Sequence, residues 1–376
     1  QHAPVGRQNV PVGHAVRFTY LQTAVARLCR LSGEQSLRPA LERVWDRMVT
    51  RRMYVTGGIG SLPGLEGFGN DYELDPEYAY AETCAALGSL YWNWEMVQLT
   101  GQAAYSDLFE WQLYNAAAVG MGLDGSTYLY NNPLACSGGV TRQAWYAVPC
   151  CPSNLSRTWA DLGGYIFSSG ADSLRVHQYI SSRWNHEGIQ VEMESGLPWQ
   201  GQVKIQLQEV PAGLREIHLR LPSWAAQMRV TINTEPAIPY APERKPTEPT
   251  ASGFDPRRAE WVCLQRPWQT GDTIRIEFDL PIELRRAHPK VRGQRGKAAV
   301  TRGPLVYCLE SLDNPGLDLF STRLVPESLA AVEDEELLGG VVKLEAKATD
   351  GSRLTFIPYL LWGNRGPSQM NVWINT

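Results

Sequence analysis

Two periodicities divide the chain. Leu37, Ala40, Leu41, Val44, Trp45 and Met48 recur at steps of three and four, which predicts a helix over 37–48. A looser stripe of Ala15, Phe18, Leu21, Val25 and Leu28 predicts another over 14–31, and 85–99, 105–119 and 153–166 read the same way. Past Gly170 the period falls to two: Ile189/Val191/Met193, Val203/Ile205/Leu207, Ile217/Leu219/Leu221, Val230/Ile232 and Ile274/Ile276/Phe278 alternate with polar neighbours. These predict strands with one buried face. Turn signals at Pro211-Ala212-Gly213 and Thr270-Gly271-Asp272 favour an antiparallel sandwich over βαβ units. The stretch 236–256, with six prolines, reads as a loop within this region, and 298–310 opens a third. The expected architecture is α+β and multidomain: helical over 1–168, a β-sandwich over 169–288, and β-rich over 289–376.

Between the helices, 54–79 and 120–151 are long and rich in Gly, Asn and Pro, the kind of loop that carries function. Five helices are too few to close a toroid of paired helices, and a partial layer exposes a broad apolar face. A fragment, with helices missing before Gln1, is therefore expected. In 376 residues, 35 Lys plus Arg against 39 Asp plus Glu leave a net charge of −4, too mild to favour nucleic acid or a membrane surface as partner. No apolar run reaches the about 18 residues of a membrane-spanning helix. The 13 Trp and 16 Tyr exceed the needs of a core and suit a carbohydrate partner. Seven cysteines, an odd number over a long chain, argue against a disulfide framework and for a reducing, cytoplasmic compartment.

The run from Gly120 to Gly125 fits a dinucleotide pattern but follows a helix and leads into Tyr128-Leu129-Tyr130, the wrong order for that fold. Glu82-Thr83-Cys84 and Pro149-Cys150-Cys151-Pro152 are more specific, because three thiols and a carboxylate suffice for tetrahedral zinc. Residues two apart on a helix diverge, and adjacent residues on a strand face opposite ways, so both pairs are expected on irregular backbone. Flanking prolines deny the cysteine pair a helix or strand interior, and Glu82 fits just outside a helix begun by Cys84. An inert core Cys84, a vicinal Cys150–Cys151 disulfide and Cys136 as a rival ligand stay open. Among the carboxylates Glu66, Asp71, Glu73, Asp75, Glu77 and Glu82, the apolar neighbours Leu65 and Phe68 single out Glu66 as a proton donor. His14 begins a helix and either faces a pocket or serves as a capping or core histidine.

Met53-Tyr54-Val55-Thr56-Gly57, Glu66-Gly67-Phe68, Asp71-Tyr72-Glu73-Leu74, Glu82-Thr83-Cys84-Ala85 and Pro149-Cys150-Cys151-Pro152-Ser153-Asn154 together resemble glycoside hydrolase family 127, the β-L-arabinofuranosidases. Gly13-His14-Ala15-Val16-Arg17, Arg302-Gly303-Pro304-Leu305-Val306-Tyr307 and the 362–367 run are similar to that family too, so the resemblance covers nearly the whole chain. It implies the C-terminal part of an (α/α)6 barrel followed by antiparallel β-sandwich domains. It also implies Cys150 as nucleophile, Glu66 as general acid/base, and Glu82, Cys84, Cys150 and Cys151 as ligands of a zinc ion. His14 would touch the sugar, with Tyr130 as a further pocket residue. Leu65 departs from the pattern, standing where related sequences often have Gly. The implied reaction is retaining release of terminal β-L-arabinofuranose by a thiolate in place of the usual second carboxylate. The alternatives are the same mechanism on another sugar, or a non-catalytic carbohydrate-binding protein with structural zinc; the oligomeric state stays open, a homodimer being one option.

Overall fold

The computed structural model describes residues 2–242 and 248–376. Helices α1 (Ala15–Ser32), α2 (Arg38–Arg51), α3 (Thr83–Thr100), α4 (Ala103–Gln112) and α5 (Cys150–Ala160) build the first half. Both α1 and α3 stop at glycines in the left-handed region, Gly33 (φ 74°) and Gly101 (φ 73°), where a side chain would be strained. The helix predicted over 105–119 runs as α4 and then continues through a π turn, Leu113–Ala117, and a 3-10 turn, Ala118–Gly120.

The central helix, α3, is buried on nearly every side. On one side α1 lies so close that a Cβ on Gly88 would come within 2.3 Å of the Thr19 hydroxyl. α1 buries Phe18, Gln22, Val25 and Cys29, while Leu21, Leu28 and Leu31 stay exposed on its outer face. No helix among the described residues is long and apolar enough to cross a membrane.

The second half is built of sheets, and the predicted strands lie in them. One six-stranded sheet is antiparallel throughout, in the order Ser182–His186, Ile189–Ser195, Gln202–Glu209, Thr273–Phe278, Met228–Ile232, Ile238–Tyr240. A four-stranded sheet runs Glu260–Gln265, Glu216–Leu221, Ser173–Val176, Phe167–Ser169. Its middle pair, Ser173–Val176 with Glu216–Leu221, is parallel rather than antiparallel. The chain crosses into the six-stranded sheet between these two strands, and that excursion supplies the long connection parallel pairing requires. A nine-stranded sheet completes the fold and takes in Ala135–Cys136 from the helical half, paired with Met370–Asn371.

The 236–256 stretch is only partly a loop. Ile238–Tyr240 is an edge strand, and residues 243–247 lie outside the described residues. Residues 250–255 press into the helical half: the Ala251 N–H donates to the Thr50 carbonyl at 2.7 Å, and Phe254 stacks on Trp111 with centroids 3.9 Å apart. Trp111 in turn donates Nε1–H to the Val55 carbonyl at 2.8 Å, bracing the loop after α2.

A buried ion cluster ties the two halves together. Arg220, on the central strand Glu216–Leu221, is completely buried and reaches Asp107 (2.7 Å) and Glu110 (2.6 Å) of α4. Trp224 and Ser223 donate to the same two carboxylates. Removing one partner of such a cluster strands desolvated charge. Arg220→Ala should therefore lower unfolding free energy by about 3–5 kcal/mol in urea titrations; a loss under about 1 kcal/mol would contradict this role.

Candidate metal centre and active site

Two helix starts face each other. Glu82 precedes the first residue of α3 with extended backbone, and Cys84 is the second residue of that helix. Cys150 and Cys151 are the first two residues of α5. This corrects the expectation of irregular backbone for the cysteine pair. Pro152 stands third in the helix, where its missing N–H has no intrahelical partner to lose. Because Cβ bonds tilt towards a helix N-terminus, first-turn side chains project past the helix end, where the Cys150 and Cys151 sulfurs come within 4.0 Å.

Their donor atoms all lie within 4.8 Å of one another. Cys84 Sγ is 3.2 Å from Cys151 Sγ, which is 4.0 Å from Cys150 Sγ. Glu82 Oε1 is 3.7 Å from Cys150 Sγ and 3.8 Å from Cys151 Sγ. Bond lengths of about 2.0–2.3 Å place the edges of a zinc tetrahedron at about 3.3–3.8 Å, and the four separations, from 3.2 to 4.0 Å, lie within a few tenths of an ångström of that range. At 4.0 Å the Cys150 and Cys151 sulfurs are about twice a disulfide bond apart, and all seven cysteines are free thiols. Cys136 sits apart on its two-residue strand, its thiol directed at the Gly138 carbonyl. A different donor group, Glu216, His218 and Cys263, lies on the four-stranded sheet.

The cluster is electrostatically unsatisfied on its own. Burial, reinforced by the charge of Glu66, pushes the Glu82 carboxyl up to about 7, and its Oε2 is buried without a partner among the described residues. Burial also pushes the Cys150 thiol up to about 11. Cys151 is held far above the usual thiol range by its hydrogen bond with Cys84 and by burial, while that same contact lowers Cys84. The two helix N-termini supply positive potential, and a bound cation would favour the ionised forms of all four.

Glu66 reaches the same place from a different loop. It adopts a left-handed backbone (φ 47°), and Gly67 beside it has no room for a side chain, since a Cβ would fall 2.4 Å from the Gly13 carbonyl oxygen. The Phe68 N–H donates to that carbonyl at 3.0 Å and the Ala15 N–H to the Glu66 carbonyl at 2.9 Å, stitching the loop onto the start of α1. The Glu66 carboxylate then meets His14 Nε2 at 2.9 Å and accepts from the Tyr80 hydroxyl at 2.8 Å. His14 makes no capping hydrogen bond, so the capping reading is set aside. Donor atoms of His14, Glu66 and Glu82 lie within 4.8 Å of one another. Tyr130 directs its hydroxyl at Cys150 Sγ, 3.1 Å away, and its ring meets those of Tyr80 and Tyr146 edge-on.

Family models agree with this arrangement along the chain. The β-L-arabinofuranosidase GH127 catalytic domain matches residues 1–164, the GH127 middle domain 173–281, and the glycoside hydrolase family 127 C-terminal domain 282–375. The chain belongs to glycoside hydrolase family 127. The non-reducing end β-L-arabinofuranosidase of Bifidobacterium longum subsp. longum is 34% identical over 416 residues, an alignment covering 98% of this chain and 60% of that protein. Among solved structures, the GH127 β-arabinofuranosidase BT3674 superposes with a TM-score of 0.89 at 31% identity, over 100% of this chain and 62% of that one. Ara127N-Se, a GH127 β-L-arabinofuranosidase from Geobacillus stearothermophilus T6, gives 0.88 at 34%, again over 100% and 62%. The chain thus spans about three fifths of these family 127 relatives.

Glu66, Glu82, Cys84, Cys150, Cys151, His14 and Tyr130, scattered between positions 14 and 151, come together at one place. Sequence reasoning missed Tyr80, which holds Glu66, and Asn154, whose amide donates to Cys84 Sγ at 3.0 Å. Neither carries a spacing signal, although both stand inside or beside the quoted motifs. Elemental analysis should find one transition-metal dication per chain, kept by Cys136→Ser and reduced at least about ten-fold by Cys84→Ser or Cys151→Ser; equal loss in all three variants would contradict the assignment.

Proposed function

We propose that this chain carries the catalytic machinery of a zinc-dependent retaining glycoside hydrolase that releases terminal β-L-arabinofuranose. One observation carries the reading. Of the four donors, Glu82, Cys84 and Cys151 are buried, and Cys150 alone is partly open, on the side where Tyr130 stands. A sulfur meant only to hold metal has no need of access. The half-exposed Glu66 provides a second reacting group within reach of the same cluster.

Glu82, Cys84, Cys150 and Cys151 are the residues that would hold zinc, which when bound stabilises thiolate at neutral pH. Cys150 Sγ attacks the anomeric carbon, forming an S–C bond as the glycosidic C–O bond breaks. Glu66 gives its proton to the departing oxygen. Glu66 then takes a proton from water, whose oxygen attacks the same carbon and expels the Cys150 thiolate. Tyr80 and His14 fix the Glu66 carboxyl between them, and His14 also faces the sugar. Tyr130 steadies the nucleophile through its hydroxyl.

The arabinofuranose assignment is supported by the activity named for the relatives. The helical half is read as part of an (α/α)6 barrel, in keeping with the side-by-side packing of α1 on α3 and the exposed leucines of α1. Free thiols throughout fit a reducing, cytoplasmic compartment.

Chromogenic glycosides test the roles. Glu66→Gln should lose about 10²–10⁴-fold in turnover of poor leaving groups while keeping its metal, and Cys150→Ala should abolish turnover. Unchanged turnover in Glu66→Gln would remove Glu66 from the mechanism. Turnover of another pentoside but no arabinofuranoside would overturn the substrate.

A further inference from the structure

Behind the cluster, away from Tyr130, a chain of polar side chains runs across three helices. Arg157 of α5 donates from Nη2 to the Tyr20 hydroxyl oxygen of α1 at 2.6 Å, and its guanidinium lies over the Tyr20 and Tyr91 rings at 5.9 and 5.4 Å. Tyr20 lies 3.3 Å from Asn154 Oδ1, and Asn154 Nδ2 lies 3.0 Å from Cys84 Sγ. A cavity of about 450 Å³, lined in part by Tyr20, Tyr91, Trp94, Arg157 and Tyr165, flanks this chain.

The direction of every link is determined by chemistry. Arginine has donors only, so the Tyr20 oxygen must accept from it. The one proton of Tyr20 is then free for Asn154, whose amide oxygen stands 3.3 Å away. That leaves the Asn154 NH₂ facing sulfur. Each bond as placed points from a cation towards Cys84, and a Cys84 thiolate, which has no proton to give, would reject the oxygen of a turned-over amide. Cys150 has a different partner, the Tyr130 phenol on the open side.

From this we infer that Asn154, oriented by Arg157 and Tyr20, is a positioning residue for the Cys84 sulfur, fixing it as the permanent anchor of the metal and leaving Cys150 as the sulfur that can move. The inference rests on Cys84 being a metal ligand. An N–H donated to a bound thiolate holds its lone pair in direction and lowers it in energy, the usual effect of an outer partner on a ligand.

The test uses the whole chain loaded with Zn²⁺ or Co²⁺. Asn154→Leu, of the same shape but without a donor, should weaken Zn²⁺ binding about 10–100-fold in competition with a chromophoric chelator. It should also move the sulfur-to-cobalt charge-transfer band to longer wavelength, a shift that simple loss of packing would not produce. Tyr20→Phe should move both readouts the same way by less, with no added effect in the Asn154→Leu background. It also provides the test if Asn154→Leu does not fold. Unchanged affinity and band position in both variants would overturn the relay alone. A wild-type chain that takes up no cobalt would overturn the metal site and the relay with it.

Discussion

Four acidic donors brought within 4.8 Å of one another make the constraint that organises this molecule. At about 4 Å and an effective dielectric of about 20, two like charges repel by about 4 kcal/mol. Each helix N-terminus contributes roughly half a positive charge, so two of them offset about one negative charge of four. A dication offsets two more. About one charge of the four is then left over, so helix ends alone cannot hold the cluster ionised, and a bound dication would remove most of the repulsion.

Much of the scaffold works to keep those helix ends facing each other. Gly88 lets α1 close on α3, which brings His14 and the Glu66 loop over the start of α3. From behind, the Phe254–Trp111 stack braces the loop after α2, and Arg220 fastens α4 to the sheets. Around the cluster, burial separates two kinds of sulfur. Cys84 and Cys151 are sealed, whereas Cys150 keeps an approach, and a side chain needs that approach to react as well as to bind.

Helices with one buried stripe, such as α2, and strands with one buried face, such as Gln202–Glu209, were legible because their residues alternate between two environments. α3 offered less, since a helix buried on nearly every side has no polar face to set its phase. The donor set was legible from residue type and spacing, and the family motifs added roles to it. Its backbone was misjudged, because the side-chain periodicities of helix interiors do not govern a first turn, where Cys150 and Cys151 stand. Contacts between distant segments left no local trace. Arg220 looks like any polar position on a strand, and Asp107 and Glu110 like a solvated helix face, until tertiary packing buries all three. Asn154 and Tyr80 likewise acquire their roles only from what folding places beside them.

X-ray absorption at the zinc edge of the zinc-loaded chain reads the four donors themselves. Three sulfur neighbours at about 2.3 Å and one oxygen at about 2.0–2.2 Å are expected. A first shell of nitrogen and oxygen alone, or one with fewer than three sulfurs, would contradict it.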